Sequence, residues 1–140
     1  MKSKIYRSSY SPSSSLLKMT LLHEEAFPYT KGTTEEKILV RRLDDAVRSL
    51  SLRKNILIKM DAEGYEDKII MGGTKLISQA KVIIIETSFK PLRLNQPLFG
   101  QIYEMLKKLN FEYAGNLGQK KNPVDGNVLL SDSVFINRSL

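Results

Sequence analysis

A chain of 140 residues that is 41% hydrophobic and 26% charged is long enough for one globular domain with a real core, and too apolar for a disordered one. It has no cysteine, which excludes disulfides and thiolate metal centres, and its one histidine, His23, argues against a histidine-built metal site or a Ser-His-Asp triad. The net charge of +7 is weighted toward a tail in which Lys2, Lys4, Arg7 and Lys18 have no acid among them, so a solvated tail is expected rather than a nucleic-acid binder, and no apolar run approaches the ~20 residues of a bilayer span.

Taken in chain order, residues 1–35 read as a basic, serine-rich, irregular segment, and residues 36–140 as the folded domain. Leu16 to Leu22 suits a short strand or turn, and Pro28 to Thr34 a loop around Gly32. Glu36 to Val40 reads as a short strand. A helix is expected from Asp44, with Ala46, Val47 and Leu50 at helical spacing. Ile56 to Met60 is the first strong strand. Alternation puts Ile56, Ile58 and Met60 on one face and Leu57, Lys59 and Asp61 on the other.

Glu66 to Gln79 has helical periodicity, with Ile69, Ile70, Leu76 and Ile77 on its inner face. Gly72-Gly73 either breaks this helix or serves a close contact, since each glycine costs about 1 kcal/mol relative to alanine. Val82-Ile83-Ile84-Ile85 is the continuous β-branched run of a strand covered on both faces. Strand, helix and strand over about thirty residues make a βαβ unit with parallel strands. Leu98, Ile102, Met105, Leu106 and Leu109 mark one face of a second helix. Glu112–Leu117 and Leu129–Asn137 read as closing strands around a turn at Asn122-Pro123-Val124-Asp125-Gly126.

The chemistry gathers at the carboxyl edge of the Ile56–Met60 strand, where open α/β sheets bind ligands. Asp61, Glu63 and Glu66 follow that strand, and Glu86 ends the next. Such carboxylates accept hydrogen bonds from hydroxyls or an ammonium group, bind a divalent cation, or act as a base when burial raises the pKa. Glu66 and Asp67 also suit the first turn of a helix for electrostatic reasons alone, and Gly64 suits a tight strand-to-helix turn. Lys59 needs a partner inside a covered strand, and Glu86 is the expected one.

Lys59-Met60-Asp61-Ala62-Glu63-Gly64-Tyr65-Glu66 resembles the K-(I/M)-D-x-(E/Q)-G-x-E signature of FkbM-type S-adenosylmethionine-dependent methyltransferases. Arg42-Leu43-Asp44-Asp45, Gly72-Gly73, Val82 to Phe89, Gln96-Pro97-Leu98-Phe99 and Asp132 to Asn137 follow in the family's order, with Ser13 to Leu17 before them. The resemblance implies O-methylation of a hydroxyl on a small molecule, sugar, glycan or polyketide. Complete members open with a D-x-G-A-N-x-G loop for the cofactor and a ribose-binding acid, neither of which occurs in these 140 residues. The expectation is therefore the carboxy-terminal portion of such a domain: a partial Rossmann-like α/β fold, its sheet mostly parallel, with flanking helices and a closing antiparallel strand.

On this resemblance Asp61, Glu86 and Lys59 are the catalytic candidates, and Glu63, Gly64 and Glu66 the cofactor-binding ones; no metal ligands are assigned. The other reading is a non-catalytic relic or interaction module that keeps the half-sheet. An open strand edge at Ile56–Met60 would call for a homodimer or a complementary amino-terminal fragment. With no secretion signal or membrane span, the default location is the cytoplasm.

Overall fold

Exposed Lys2 and Lys4 alternate with half-buried Ser3 and Ile5 to make a strand of the amino terminus, where composition alone suggested irregular chain. The computed structural model describes residues 1–140. Strand β1 (Lys2–Ser8) pairs antiparallel with β2 (Thr33–Leu39), and the ribbon is laced by Lys4–Glu35 at 2.6 Å and Arg7–Glu36 at 2.9 Å. Between the two strands lies a short helix, α1 (Leu21–Ala26), whose first turn is capped by Thr20, which accepts from the His23 N–H. The helix expected from Asp44 is a single turn, α2 (Leu43–Ala46).

The main sheet then assembles. Strand β3 (Ile56–Met60) is followed by α3 (Glu66–Gly72), α4 (Thr74–Ile77) and β4 (Ala80–Ser88). β3 and β4 are parallel, as the βαβ reading required. Helix α5 (Phe99–Lys107) leads into β5 (Phe111–Lys121) and β6 (Val128–Asn137), which turn back on one another through Asn122 to Gly126. The core lies between the sheet and its helices: Ile70 and Ile77 from α3 and α4, Leu106 from α5, and Ile83, Ile85 and Phe135 from the strands are all 2% exposed or less.

The expectation of a mostly parallel sheet is overturned. The strand order is β3-β4-β6-β5, and only the β3–β4 pair is parallel; β4–β6 and β6–β5 are antiparallel, and β1–β2 form a separate antiparallel ribbon. A short hairpin can join only antiparallel strands, so the β5–β6 turn sets the direction of half the sheet. β2, whose expected span was Glu36–Val40, finds its partner in β1 rather than beside β3. One edge of β3 is therefore unpaired.

Helices α3, α4 and α5 flank one face of the sheet, and α1 packs through Ala26 at its far end, against Leu92 and Leu129. Leu57, Val82, Ile84, Val134 and Ile136, which alternation aims at the opposite face, belong to no core cluster; Leu57 is 57% exposed and the other four are half-buried. The expectation that β4 is covered on both faces is corrected accordingly. No helix is long and apolar enough to cross a membrane.

Gly72-Gly73 serves both purposes weighed in the sequence. The helix breaks at Gly73, and a Cβ there would sit 2.6 Å from Leu43 Cδ2 and 2.9 Å from Leu43 Cβ. Asp44, beside Leu43, accepts hydrogen bonds from the N–H groups of Lys75 and Leu76 and so caps α4 from a distant part of the chain. Gly73→Ala is expected to cost about 1–3 kcal/mol by overpacking. Gly72→Ala, whose Cβ would meet nothing closer than 3.6 Å, is expected to be neutral or to stabilise by up to ~1 kcal/mol through helix propensity. Chemical unfolding of the two variants checks the difference in sign.

Candidate functional site

The carboxyl ends of β3 and β4 bring three of the expected acids together. One carboxylate oxygen each from Asp61, Glu63 and Glu86 lies within 4.8 Å of the others. Asp61 is half-exposed, and Glu86 stands opposite Asp132 on β6. Burial, followed by the charges of Glu63, Asp61 and Glu66, pushes the Glu86 carboxyl up to about 8. Glu86 is thus a neutral acid at pH 7, able to donate a hydrogen bond, beside acids that can accept one.

Lys59 is not paired with Glu86. Its Nζ donates to Asp132 Oδ1 at 2.9 Å and lies 3.6 Å from Asp61 Oδ2. The expectation rested on a covered strand; the bare face leaves Lys59 45% exposed, so it reaches diagonally across β4 to β6 instead. Burial alone would lower its pKa, but the Asp132 hydrogen bond and the charges of Asp61, Asp132 and Glu86 outweigh that and raise it. Lys59 stays charged and fixes both aspartates.

Glu66 turns inward. It is 3% exposed, and its Oε1 accepts from the N–H groups of Ala62 at 2.9 Å and Gly64 at 3.3 Å, folding the β3–α3 loop around itself. Burial raises its pKa against the pull of these bonds. Gly64, at φ +99°, holds a conformation that favours glycine, and a Cβ would come within 3.1 Å of Arg93 Cγ and Gln96 Cβ. Glu63 is itself in the left-handed region, at φ 51°. Ser15 donates its hydroxyl to the Glu63 carbonyl at 2.7 Å.

The residue that sequence reasoning missed is Arg93. It lies in the loop after β4, is 1% exposed, and donates through Nη2 to Glu63 Oε2 and to the Ser13 carbonyl, both at 2.7 Å. It therefore ties the amino-terminal segment to the acidic loop. Its only mark in the sequence is a lone cation between Leu92 and Leu94, a signal too weak to separate it from a surface arginine. His23 is also internal: its Nε2 meets Thr30 Oγ1 at 3.1 Å, and burial, then Arg93 and Lys120, lower its pKa to about 4. It is a neutral packing residue.

The candidates thus divide by what they leave free. The carboxyl groups of Asp61, half-exposed, and Glu86, mostly withdrawn from water, make no hydrogen bond within the chain, Asp61 having only Lys59 Nζ at 3.6 Å. Glu63 is engaged by Arg93, Glu66 by backbone N–H groups, and Gly64 is covered by Arg93 and Gln96. The three residues expected to meet S-adenosylmethionine are thus each in contact with other parts of the chain. A cavity of about 960 Å³ between α2, α3 and the start of β1 is lined by Leu39, Leu43, Tyr65 and Ile69 together with Asp45, and none of Asp61, Glu63, Glu66 and Glu86 lines it.

Comparison with known proteins agrees with the sequence resemblance. The family model described as Methyltransferase FkbM domain matches residues 3–113, a span that includes the acidic edge and Arg93. No curated protein and no solved structure matches the chain.

Proposed function

We propose, for a chain that belongs to the FkbM methyltransferase domain family, that its acidic edge binds and orients the hydroxyl to be methylated, on a small molecule or glycan. Membership implies dependence on S-adenosylmethionine in general. In this chain Asp61 accepts the hydrogen bond of the acceptor hydroxyl and takes its proton. Neutral Glu86 supports it by donating to a neighbouring oxygen, an arrangement suited to a compound with adjacent hydroxyls. Lys59 holds Asp61 and Asp132 in register. The observation that carries this reading is the juxtaposition of Asp61 and Glu86 at the carboxyl ends of β3 and β4. Positioning contributes alongside proton removal, because methyl transfer needs the acceptor oxygen in line with the methyl group.

The cofactor's glycine-rich loop is not encoded in these 140 residues. Activity is therefore expected only when complementary amino-terminal elements are supplied, and methyl transfer from labelled S-adenosylmethionine to hydroxyl acceptors is the assay. Asp61→Ala should lower turnover by about 10²–10⁴-fold, the usual contribution of a positioned base. Its stability should move by less than ~0.5 kcal/mol, as expected of a half-exposed site. Unchanged turnover would remove Asp61 from the role.

A second reading, an interaction module without catalysis, is favoured by the internal engagement of Glu63, Gly64 and Glu66. Calorimetric titration with S-adenosylmethionine separates the two. No binding in the presence of the complementary elements supports the module.

A further inference from the structure

We infer that the amino end of the main sheet docks on an anionic lipid bilayer, through exposed lysine and arginine side chains and with Leu50 and Leu52 inserted among the headgroups. The proposal does not depend on the methyl-transfer reading.

Cations from four parts of the chain meet at this end. Arg53 and Lys54 precede β3, Lys81 lies at the start of β4, and Lys107 and Lys108 close α5 just before β5. Lys75 is on α4, which is tied to the same end because Asn137 Nδ2 donates to the Ser78 carbonyl at 3.1 Å. All six side chains are exposed, and none forms an ion pair. The acids beside them are already engaged. Asp45 lies 3.7 Å from Arg48, Glu112 accepts from Arg138 at 2.8 Å, and Asp44 caps α4. Glu104, one turn before Lys107 and Lys108, is the one acid here without a partner, so the excess charge is positive. In the basic amino-terminal segment, by contrast, Lys4 and Arg7 are matched by Glu35 and Glu36.

Apolar side chains among these cations select the partner. Leu50 and Leu52 lie in the irregular segment before β3, 58% and 45% exposed, next to Arg53 and Lys54. Both line a hollow of about 290 Å³ together with Lys75, which sets them beside the cation of α4 as well. Leucines ringed by unpaired cations suit the interface of an anionic bilayer. Each Lys or Arg near that surface strengthens binding by about fivefold, and the leucines bury apolar area at the acyl boundary. A nucleic-acid backbone would satisfy the cations but leave the leucines in water. Nor does this end offer a stacking platform, since Tyr103 and Phe111, beside Lys107, are half-buried and buried. Docked this way, the chain holds Asp61 and Glu86, at the carboxyl ends of β3 and β4, on the side away from the bilayer.

The test is sedimentation with vesicles of phosphatidylcholine mixed with phosphatidylserine, and with vesicles of phosphatidylcholine alone. The chain is expected to bind the first and not the second, and to dissociate as added salt screens the charges. Arg53→Glu/Lys54→Glu should weaken binding by about tenfold or more. Lys90→Glu/Lys121→Glu, the same change in net charge at the opposite end of the sheet, should weaken it far less. Leu50→Ser/Leu52→Ser, at unchanged charge, should also cost about tenfold or more. Because the chain has no cysteine, Ser51→Cys carries a single polarity-sensitive fluorophore between the two leucines, and its emission should shift to the blue on the anionic vesicles. The same fluorophore at Lys121→Cys should not shift. These substitutions before β3 lie outside the helices and strands; should a double variant fail to fold, the fluorophore decides.

A chain that stays in solution beside the anionic vesicles at low salt overturns the proposal, as does an equal loss of binding from the two charge reversals. Vesicle binding with no shift at Ser51→Cys overturns the insertion of the leucines. A DNA duplex that strips the protein from the vesicles, and binds Leu50→Ser/Leu52→Ser as tightly as the natural chain, assigns this end to nucleic acid and overturns the lipid reading.

Discussion

Arg93→Ala is expected to destabilise the protein by about 2–4 kcal/mol, close to the ~3–5 kcal/mol for breaking a buried ion pair and lower because Glu63 keeps 21% exposure. Three connections fail together. The guanidinium no longer neutralises Glu63, the Ser13 carbonyl loses its donor, and the packing over Gly64 is removed. The remaining carboxylate would sit within reach of Asp61 and Glu86 without a counter-charge. Urea unfolding gives the magnitude. A double-mutant cycle with Glu63→Gln isolates the electrostatic part, because with the charge already gone Arg93→Ala should cost measurably less. A loss below ~1 kcal/mol would mean that the clamp is not what holds the amino-terminal segment to the acidic loop.

Glu86→Gln is expected to stabilise the protein, increasingly so as the pH rises. In the folded state Glu86 keeps its proton up to about 8, whereas the unfolded chain releases it around the ordinary value of 4.5. Between these values the folded state binds more protons than the unfolded one, so stability falls as pH increases. Below pH 4.5 the group contributes nothing, and above 8 its penalty is complete. Each pH unit in that window corresponds to ~1.4 kcal/mol at most, and water reaching the site reduces the sum to a few kcal/mol. Thermal melts of the two proteins should coincide near pH 4 and diverge toward pH 8, with the glutamine variant the more stable. Parallel pH profiles would mean that Glu86 is ionised in the fold.

Much of this architecture can be read in the chain, for local reasons. The β-branched run Val82 to Ile85 has no good alternative to a strand, and the spacing of Ile102, Met105 and Leu106 none to an amphipathic helix. The acids after Met60 necessarily lie at the carboxyl end of β3. What was misread depends on partners distant in sequence. β1 looked irregular because its hydrogen bonds and counter-ions, Glu35 and Glu36, arrive about thirty residues later. Lys59 was assigned Glu86 because alternation says which face a residue is on, not whether that face is covered or which side chain lies diagonally across the sheet.

The sequence by itself determined the family, the parallel β3–β4 unit and the position of the acidic edge, and marked Gly72-Gly73 as either a helix break or a close contact. Each of these is carried by residues close together in the chain, where backbone geometry and periodicity leave few choices. The tertiary structure decided the antiparallel half of the sheet, the pairing of β2 with β1, and the bare face with its unpaired edge. It also decided which acids remain free, since Glu63 and Glu66 are claimed by Arg93 and by loop N–H groups while Asp61 and Glu86 are not. Those outcomes depend on which of several chemically equivalent partners is brought within about 3 Å, a choice made by packing rather than by residue type.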